Sequence, residues 1–271
     1  LYNRSVGKYR KEKIFMAREN SFIFFGRSVN APVAFFNEDS KTYRLTFTVE
    51  TFRRNGRKDY PTINVYSLNE GEAKEYVSRM HDSVFIEVRG MASTKMVKKP
   101  VKCEVCGNVN FVDTLQTEII SYGKPFILKE KVEPADIVEF ANVGNLIGSL
   151  CTDITRKDIV NGKTAAQFQI AVNRRFRVNE LERGTRTDYP WVKVFGDTAD
   201  ECLKRLKKSS QIYITGAFQT RDIERRIVCS KCDEKLSYSE RVGEIVPNGI
   251  EFLNNCLFDK PDAEEKANEK A

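Results

Sequence analysis

The sequence predicts a mainly β protein built from two copies of one small domain. Segments that alternate between polar and apolar residues recur along the chain, and a short amphipathic helix follows the third such segment in each half. Several landmarks also repeat at a spacing of 126 residues. These pairs are Ala73 and Ala199, Gly90 and Gly216, Cys103 and Cys229, and Cys106 and Cys232. A shared spacing across a helix, a strand end and a cysteine pair indicates a tandem duplication.

Length and composition set broad limits on the protein. The chain has 271 residues, which is enough for two ordinary domains. Apolar residues make up 41% and charged residues 31%, a composition typical of a soluble globular protein. The net charge of +7 fits a polyanionic partner. No apolar run is long enough to span a membrane and no signal peptide is visible, so we expect no membrane partner. Seven cysteines in a chain without a visible secretion signal indicate a location in the reducing cytoplasm.

The expected organisation has five parts. They are a basic N-terminal arm at 1–20, a first domain at 21–128, a linker at 129–139, a second domain at 140–256 and a charged, disordered tail at 257–271. The linker is charged, contains a proline and lacks periodicity. The arm is interpreted as a solvated terminus in preference to a nucleic-acid-binding arm.

Each unit is expected to contain five strands and one helix. In the first unit the expected strands are 21–29, 43–52, 60–66, 84–89 and about 113–120, with a helix at 72–80. In the second unit they are 143–150, 166–172, 189–195, 211–215 and 249–253, with a helix at 197–208. A single helix between the third and fourth of five strands is the order of an OB-fold barrel. The predicted fold is therefore two tandem OB-fold barrels, with the binding face on the second and third strands.

The residues from Asn173 to Gly196 carry the strongest functional signal. The strand at 189–195 alternates strictly, so Val192 and Val194 point to the core. The opposite face carries Tyr189, Trp191, Lys193 and Phe195. Rings set among cations suit single-stranded nucleic acid, because unpaired bases stack on aromatic side chains and cations neutralise phosphates. The alternative is that these rings pack against a partner subunit or the other domain.

The second unit resembles the bacterial and phage single-stranded DNA-binding protein family. Four segments carry the resemblance: VGNLIGSL at 143–150, FQIAVNRRF at 168–176, DYPWVKVFGDTADECLKRLKK at 188–208, and YITGAFQTR at 213–221. Together they cover about 115 residues, roughly 142–256. The first unit is assigned to the same fold mainly through the internal repeat.

The resemblance implies sequence-tolerant, non-enzymatic binding of single-stranded DNA in replication, recombination or DNA transfer. Phe176, Tyr189 and Phe195 match stacking positions of the family, and Trp191 lies where the family often has a basic residue. Ile223 lies where some members have another stacking tryptophan.

The internal repeat predicts a similar binding surface on the first unit. Phe52, Tyr60 and Tyr66 lie at matching positions, and Thr62 replaces Trp191, so weaker binding is expected there. The complete set of expected DNA-binding residues is Phe52, Arg53, Arg54, Tyr60, Tyr66, Arg174, Arg175, Phe176, Arg177, Tyr189, Trp191, Lys193, Phe195 and Arg221.

The resemblance also bears on partners. Family members commonly assemble four OB-folds, so a homodimer of this chain would supply that number. The family usually ends in an acidic tip with a terminal phenylalanine that recruits other proteins. This chain ends in DAEEKANEKA, so recruitment by that route is not expected.

The two CxxC pairs are the candidate metal ligands. Cys103 with Cys106, and Cys229 with Cys232, each supply two thiolates at zinc-knuckle spacing. The pairs could meet across the two domains, or across two chains, to form one Cys₄ zinc site. They could also be reversible dithiols or free thiols at loop tips. Cys202 lies on the apolar face of its helix and is expected in the core.

Three other classes of function fit the sequence less well. A structural or adaptor module of a replication or conjugation complex is the main alternative, with RNA binding third. An enzyme is least expected, because the single histidine, His81, lies in a polar turn and there is no phosphate-binding loop. A face occupied by protein would show no salt-sensitive affinity for oligonucleotides.

Overall fold

The computed structural model describes residues 18–81, 84–129, 132–160, 162–174, 178 and 187–257. Most of the expected basic arm and nearly all of the charged tail lie outside these ranges. The expected DNA-binding residues Arg175, Phe176 and Arg177 also lie outside them.

The first unit closes into a five-stranded barrel with one helix. Its elements are β1 (Asn20–Ser28), β2 (Val33–Asn37), β3 (Thr42–Phe52), β4 (Lys58–Asp59), β5 (Thr62–Leu68), α1 (Glu70–Arg79), β6 (Phe85–Lys102), β7 (Val109–Ser121) and β8 (Phe126–Ile127). The barrel strands pair in the order β1-β3-β5-β7-β6, and β6 pairs back onto β1. Strands β2 and β4 each pair antiparallel with β3, and β8 pairs antiparallel with β6.

The second unit repeats this arrangement after the short helix α2 (Pro134–Ile137). Its elements are β9 (Asn142–Leu150), β10 (Thr155–Val160), β11 (Lys163–Asn173), β12 (Thr187–Asp188), β13 (Trp191–Phe195), α3 (Asp197–Arg205), β14 (Gln211–Val228) and β15 (Lys235–Asn254). Strands β9, β11, β13, β15 and β14 pair in that order, and β14 closes onto β9. Two closed barrels of five strands confirm the predicted fold class. Within the described ranges, no helix is both long and apolar enough to cross a membrane.

The strand alternation correctly predicts the core. Leu45 and Val49 of β3, and Val192 and Val194 of β13, are buried as expected. The buried side chains of both barrels form one continuous cluster. One helix position differs from the prediction, because Val77 of α1 is exposed although its spacing from the buried Ala73 suggested a core position.

Strands β1 and β9 join the two barrels. They pair antiparallel over Asn20–Phe24 and Asn142–Leu146, with Phe22 opposite Gly144. Phe22 and Gly144 are each the third residue of the first strand of their barrel. Because these equivalent residues face each other, they lie on the local two-fold axis that relates the barrels. A Cβ atom at position 144 would overlap the Phe22 ring. The glycine therefore leaves room for one large side chain where two could not fit, and the symmetry is broken at this point.

The fourth and fifth strands of each barrel are longer than the sequence predicted. Strand β6 continues to Lys102 and pairs with β7 from Gly90 onward, and β14 continues to Val228 against β15. We call residues 93–118 the first arm and residues 219–244 the second arm. The arms project beyond the barrel cores and many of their side chains are exposed, so they lack the apolar alternation that marks a half-buried strand.

A reciprocal contact fixes each arm to the other domain. Asp188 is fully buried and accepts two hydrogen bonds from the Arg174 guanidinium, at 2.7 and 2.9 Å. It also accepts one from the backbone N–H of Thr94, at the base of the first arm, at 2.8 Å. The Thr94 hydroxyl in turn accepts from the backbone N–H of Tyr189, also at 2.8 Å.

The first domain holds the second arm in the same way. Asp59 is fully buried, accepts from Arg53, and accepts from the backbone N–H of Thr220 at 2.6 Å. The backbone N–H of Tyr60 donates to the Thr220 hydroxyl at 2.8 Å. We call these two contacts the arginine–aspartate latches.

We predict that Asp188→Ala destabilises the chain by about 3–5 kcal/mol, because it leaves the buried Arg174 guanidinium without its carboxylate. Asp222→Ala is the matched control, since Asp222 also makes a two-bond pair with an arginine, Arg241, but on the surface. The control should cost about 0–1 kcal/mol. Urea unfolding followed by circular dichroism measures both. An equally small loss in the two variants would contradict a structural role for the latch.

Candidate nucleic-acid interface

The expected binding strand of the second barrel presents its rings to solvent. Tyr189, Trp191 and Phe195 are 40%, 36% and 38% exposed, whereas Val192 and Val194 between them are buried. The Lys193 ammonium lies 5.3 Å from the centre of the Phe195 ring. This exposure does not fit the alternative in which the rings pack against the first domain.

A groove continues from this face along the two arms. It has a volume of about 990 Å³ and is lined by Trp191 and Lys193 on the barrel, Ile223 and Tyr238 on the second arm, and Leu115 on the first arm. Ile223, the position where the resemblance suggested a possible stacking residue, therefore lies in the same groove as Trp191. The arms extend the surface beyond the barrel strands that the sequence identified.

Carboxylates already pair with two of the second-arm arginines that line this groove, Arg221 and Arg225. Arg221 donates two hydrogen bonds to Glu244, at 2.9 and 2.8 Å, and Arg225 donates to Glu240 at 3.2 Å. Both glutamates are nearly buried. The hydrogen bond to Glu244 also raises the pKa of Arg221. The groove is consequently less positive than its arginines and lysines alone would make it.

The first barrel carries a similar face in which cations cover the rings. The Arg27 guanidinium and the Lys58 ammonium lie 5.6 and 5.8 Å from the centre of the Phe52 ring. The Arg241 guanidinium of the second arm lies 4.9 Å from the Tyr60 ring. Burial, followed by the hydrogen bond that Tyr60 donates to Glu50, raises the pKa of Tyr60.

Four of the expected phosphate-binding arginines are paired within the protein. Arg53 and Arg174 form the latches, Arg221 pairs with Glu244, and Arg54 contacts Glu139. For Arg174 the pairing is nearly complete, because the side chain is buried and also donates to Ser93 at 3.0 Å. The partner carboxylates are distant in sequence or lie outside the basic clusters, so the clusters alone could not reveal them.

The four cysteines of the two CxxC pairs meet at the tips of the arms. Their sulfur atoms all lie within 4.8 Å of one another. The Sγ atoms of Cys103 and Cys232 are 3.6 Å apart, as are those of Cys106 and Cys229. Four thiolates around a zinc ion with Zn–S distances of about 2.3 Å would be separated by about 3.8 Å. The donor set and its spacing therefore fit a tetrahedral metal site.

Matching backbone turns hold the two cysteine pairs. The N–H of Gly107 donates to the carbonyl of Cys103 at 2.9 Å, and the N–H of Asp233 donates to the carbonyl of Cys229 at 3.1 Å. Gly107 and Asp233 both have positive φ, at 70° and 56°. The turns therefore direct both sulfurs of each pair to the same side.

One neighbour of the cluster was not found by sequence reasoning. Asn110 of the first arm is nearly buried and lies against the turn at 229–233. Its amide nitrogen lies 3.7 Å from the sulfur of Cys229, and its carbonyl accepts from the N–H and hydroxyl of Ser230, at 2.9 and 3.0 Å. Its place at the cluster depends on how the two arms meet, which no local motif records.

The cluster favours a thiolate at Cys229. Hydrogen bonds from the backbone N–H groups of Lys231 and Cys232, and from Asn110, lower the pKa of Cys229 to about 6. At Cys232 the backbone N–H of Glu234 favours the thiolate, but the neighbouring sulfurs of Cys106 and Cys103 and burial raise its pKa to about 12. Cys202 is separate from this site, and its burial raises its pKa to about 12, as expected for a core thiol.

Comparison with known proteins finds a family that the second barrel resembles. Residues 141–237 match the family model described as "Single-strand binding protein family". The match falls on the second barrel and covers less than half of the chain. The chain is 34% identical over 108 residues to single-stranded DNA-binding protein 1 of Chlorobaculum tepidum, and 35% identical over 71 residues to the single-stranded DNA-binding protein of Wolinella succinogenes. These alignments cover 40% and 26% of this chain, and 62% and 44% of the relatives.

Solved structures resemble the whole architecture. The wild-type single-stranded DNA-binding protein from Thermus aquaticus matches 90% of this chain and 98% of its own, with a TM-score of 0.59 and 13% identity. A deletion mutant of the same protein matches 92% of this chain and 100% of its own, with a TM-score of 0.58 and 14% identity. At this identity the likeness concerns the fold, and it extends over both barrels.

Proposed function

We propose that this chain binds single-stranded DNA, independently of sequence and without catalysing a reaction, in replication, recombination or DNA transfer. The observation that carries the proposal is the exposed face of Tyr189, Trp191, Lys193 and Phe195, which opens into the groove between the arms. This face lies in the part of the chain that matches the family, and relatives of that part are named single-stranded DNA-binding proteins.

The chemistry of the face suits an unpaired strand. Each base stacked on an exposed ring contributes about 1–3 kcal/mol, and stacking is tolerant of sequence because every base has a π face. Lys193 and the arginines along the arms would contact phosphates, which makes the affinity depend strongly on salt. Phosphates entering the groove would compete with Glu240 and Glu244 for the arginines that these glutamates hold.

The same geometry bears on the alternative functions. An adaptor whose faces are covered by protein would not need half-exposed rings beside an open groove, so the face supports DNA binding over that function. RNA also has stackable bases, and a direct comparison of DNA and RNA oligonucleotides separates the two. We retain a homodimer with four OB-folds as the proposed assembly, and cytoplasmic location as the proposed compartment.

We further propose that the four clustered cysteines bind one zinc ion per chain. Cys103 and Cys106 of the first arm and Cys229 and Cys232 of the second would be its ligands, and Asn110 would orient Cys229. Zinc would supply structural cross-linking, since four protein ligands leave no open coordination position for catalysis. The cross-link would hold the tips of the two arms together and so fix the shape of the groove below them.

The first prediction from the proposed function concerns binding itself. Poly-dT should quench the fluorescence of Trp191, the only tryptophan, because a base stacked on the ring changes its environment. The logarithm of the binding constant should fall linearly with the logarithm of the salt concentration. The slope, called the salt slope below, should be about −0.7 for each phosphate contact. The measurement is a fluorescence titration at several salt concentrations, with Trp191→Ala followed by a mobility-shift assay. Unchanged fluorescence at saturating oligonucleotide, with no mobility shift, would refute the function.

The second prediction concerns the paired arginine of the groove. Glu244→Gln should tighten binding and steepen the salt slope by about 0.7, because it releases Arg221 for one phosphate contact. Glu251→Gln is the matched control, since Glu251 lies on the same strand but is exposed and does not line the groove. An unchanged slope in the Glu244 variant would mean that Arg221 does not meet the strand.

The third prediction concerns zinc. Protein purified without chelators should contain about one zinc per chain by elemental analysis. Cys103→Ser and Cys229→Ser should each abolish it, whereas Cys151→Ser, outside the cluster, should retain it. A metal-free protein in which all four cluster thiols react freely would contradict the zinc proposal.

A further inference from the structure

We propose that Phe35, Arg44 and Tyr66 form an additional subsite on the first barrel that binds one unpaired nucleobase and its phosphate. This inference rests on the proposed function of the chain. The internal repeat singled out Tyr66, but the sequence assigned no role to Phe35, which lies on β2 outside the five barrel strands, or to Arg44 on β3.

The strand pairing places these residues on one face. Strand β2 pairs with β3 so that Phe35 lies directly opposite Arg44, and β5 pairs with the other edge of β3. Leu45, next to Arg44, points into the core, so Arg44 points outward, and Phe35 shares its face. Tyr66 belongs to the outward-facing positions of β5, since Val65 is buried. The three side chains therefore extend the outer face of β3 and β5 onto β2.

The side chains enclose a shallow hollow with an aromatic wall. Phe35 is 45% exposed, and the Arg44 guanidinium lies 4.6 Å from the centre of its ring. Phe35, Arg44 and Tyr66 line a hollow of about 370 Å³. That volume lies at the lower end of the range of about 300–1,000 Å³ for small-ligand sites. A base can stack on the open face of Phe35, while its phosphate meets the guanidinium.

The charges around the hollow favour an anionic ligand. Among the described residues, no carboxylate forms an ion pair with Arg44, in contrast to Arg53, Arg174 and Arg221. The acidic residue at the rim, Glu38, is already paired with Lys41 at 3.1 Å. Arg44 is therefore a cation on the first face that phosphate can approach without displacing a protein carboxylate.

The second barrel does not repeat this arrangement. In the strand pairing of β10 with β11, Lys157 takes the place of Phe35 and Ala165 the place of Arg44. The second barrel has Trp191 where the first has Thr62. Each barrel thus has a ring that the other lacks, on a different strand. The expectation that the first domain binds more weakly, which followed from Thr62 alone, does not allow for this exchange.

Affinity measurements on the full chain test the subsite. Phe35→Ala should weaken binding of a dT oligonucleotide long enough to cover both barrels by about 5-fold or more, the equivalent of one lost stack. Arg44→Gln should make the salt slope shallower by about 0.7, the contribution of one phosphate contact. The control is Phe126→Ala, since Phe126 is an exposed phenylalanine on β8 that does not line this hollow. Phe35→Leu, which keeps an apolar side chain but removes the ring, should weaken binding as well and guards against a folding defect in the alanine variant.

Photo-crosslinking provides an independent readout. An oligonucleotide carrying 5-iodouracil should form an adduct on the peptide that contains Phe35 or on the one that contains Tyr66, identified by mass spectrometry. Wild-type affinity in both Phe35 variants, with no adduct on either peptide while Trp191 fluorescence still responds to DNA, would overturn the subsite and leave the proposed function intact. A wild-type chain that binds no oligonucleotide would instead overturn the proposed function, and the subsite with it.

Discussion

The two arginine–aspartate latches determine how the rest of the molecule is arranged. Each latch fixes the base of one arm against the strand that begins the binding face of the other barrel, through Thr94 to Asp188 and Thr220 to Asp59. A buried charge is tolerated only with a partner and satisfied hydrogen bonds, which these bidentate pairs provide. Because the arms are held at their bases, their tips can meet, and the groove, the crossing of Arg241 over Tyr60 and the cysteine cluster all follow from that geometry.

Duplication supplies a symmetric frame, and the chemistry on it has diverged. The latches, the turns at the cysteine pairs and the barrel pairings occur twice. However, Phe22 faces Gly144 at the two-fold axis. The residue of the second arm that corresponds to Asn110 is Leu236, which has no amide. Two identical chains would have to place the same residue on both sides of such an axis. A single chain is free of that constraint, so one copy can provide the large side chain and the other the space for it.

Sequence reasoning recovered the parts that depend on local pattern. Alternation identified the barrel strands and the inward Val192 and Val194, and the repeat spacing identified the two domains. It missed the length of the arms, because strands such as 95–102 leave the core and lose their apolar period. It could not separate Arg174, buried in a latch, from a phosphate-binding arginine, since that distinction depends on contacts with Asp188 and Ser93. The meeting of the four cysteines was one of several open interpretations, because it requires knowing where two distant hairpins end.

The number of arginines in the expected DNA-binding set overstates the cations available to a polyanion. Arg53, Arg174, Arg221 and Arg225 are each held by a carboxylate, and two of those pairs line the groove. A strand entering the groove must exchange these ion pairs for phosphate contacts, so the net electrostatic gain per arginine is smaller than for a free cation. The rings then contribute a larger share of the affinity, and the lost protein pairs reduce non-specific attraction to duplex DNA, which offers phosphates but no exposed base faces. On this argument, paired arginines favour single strands over duplexes as well as stabilising the arms.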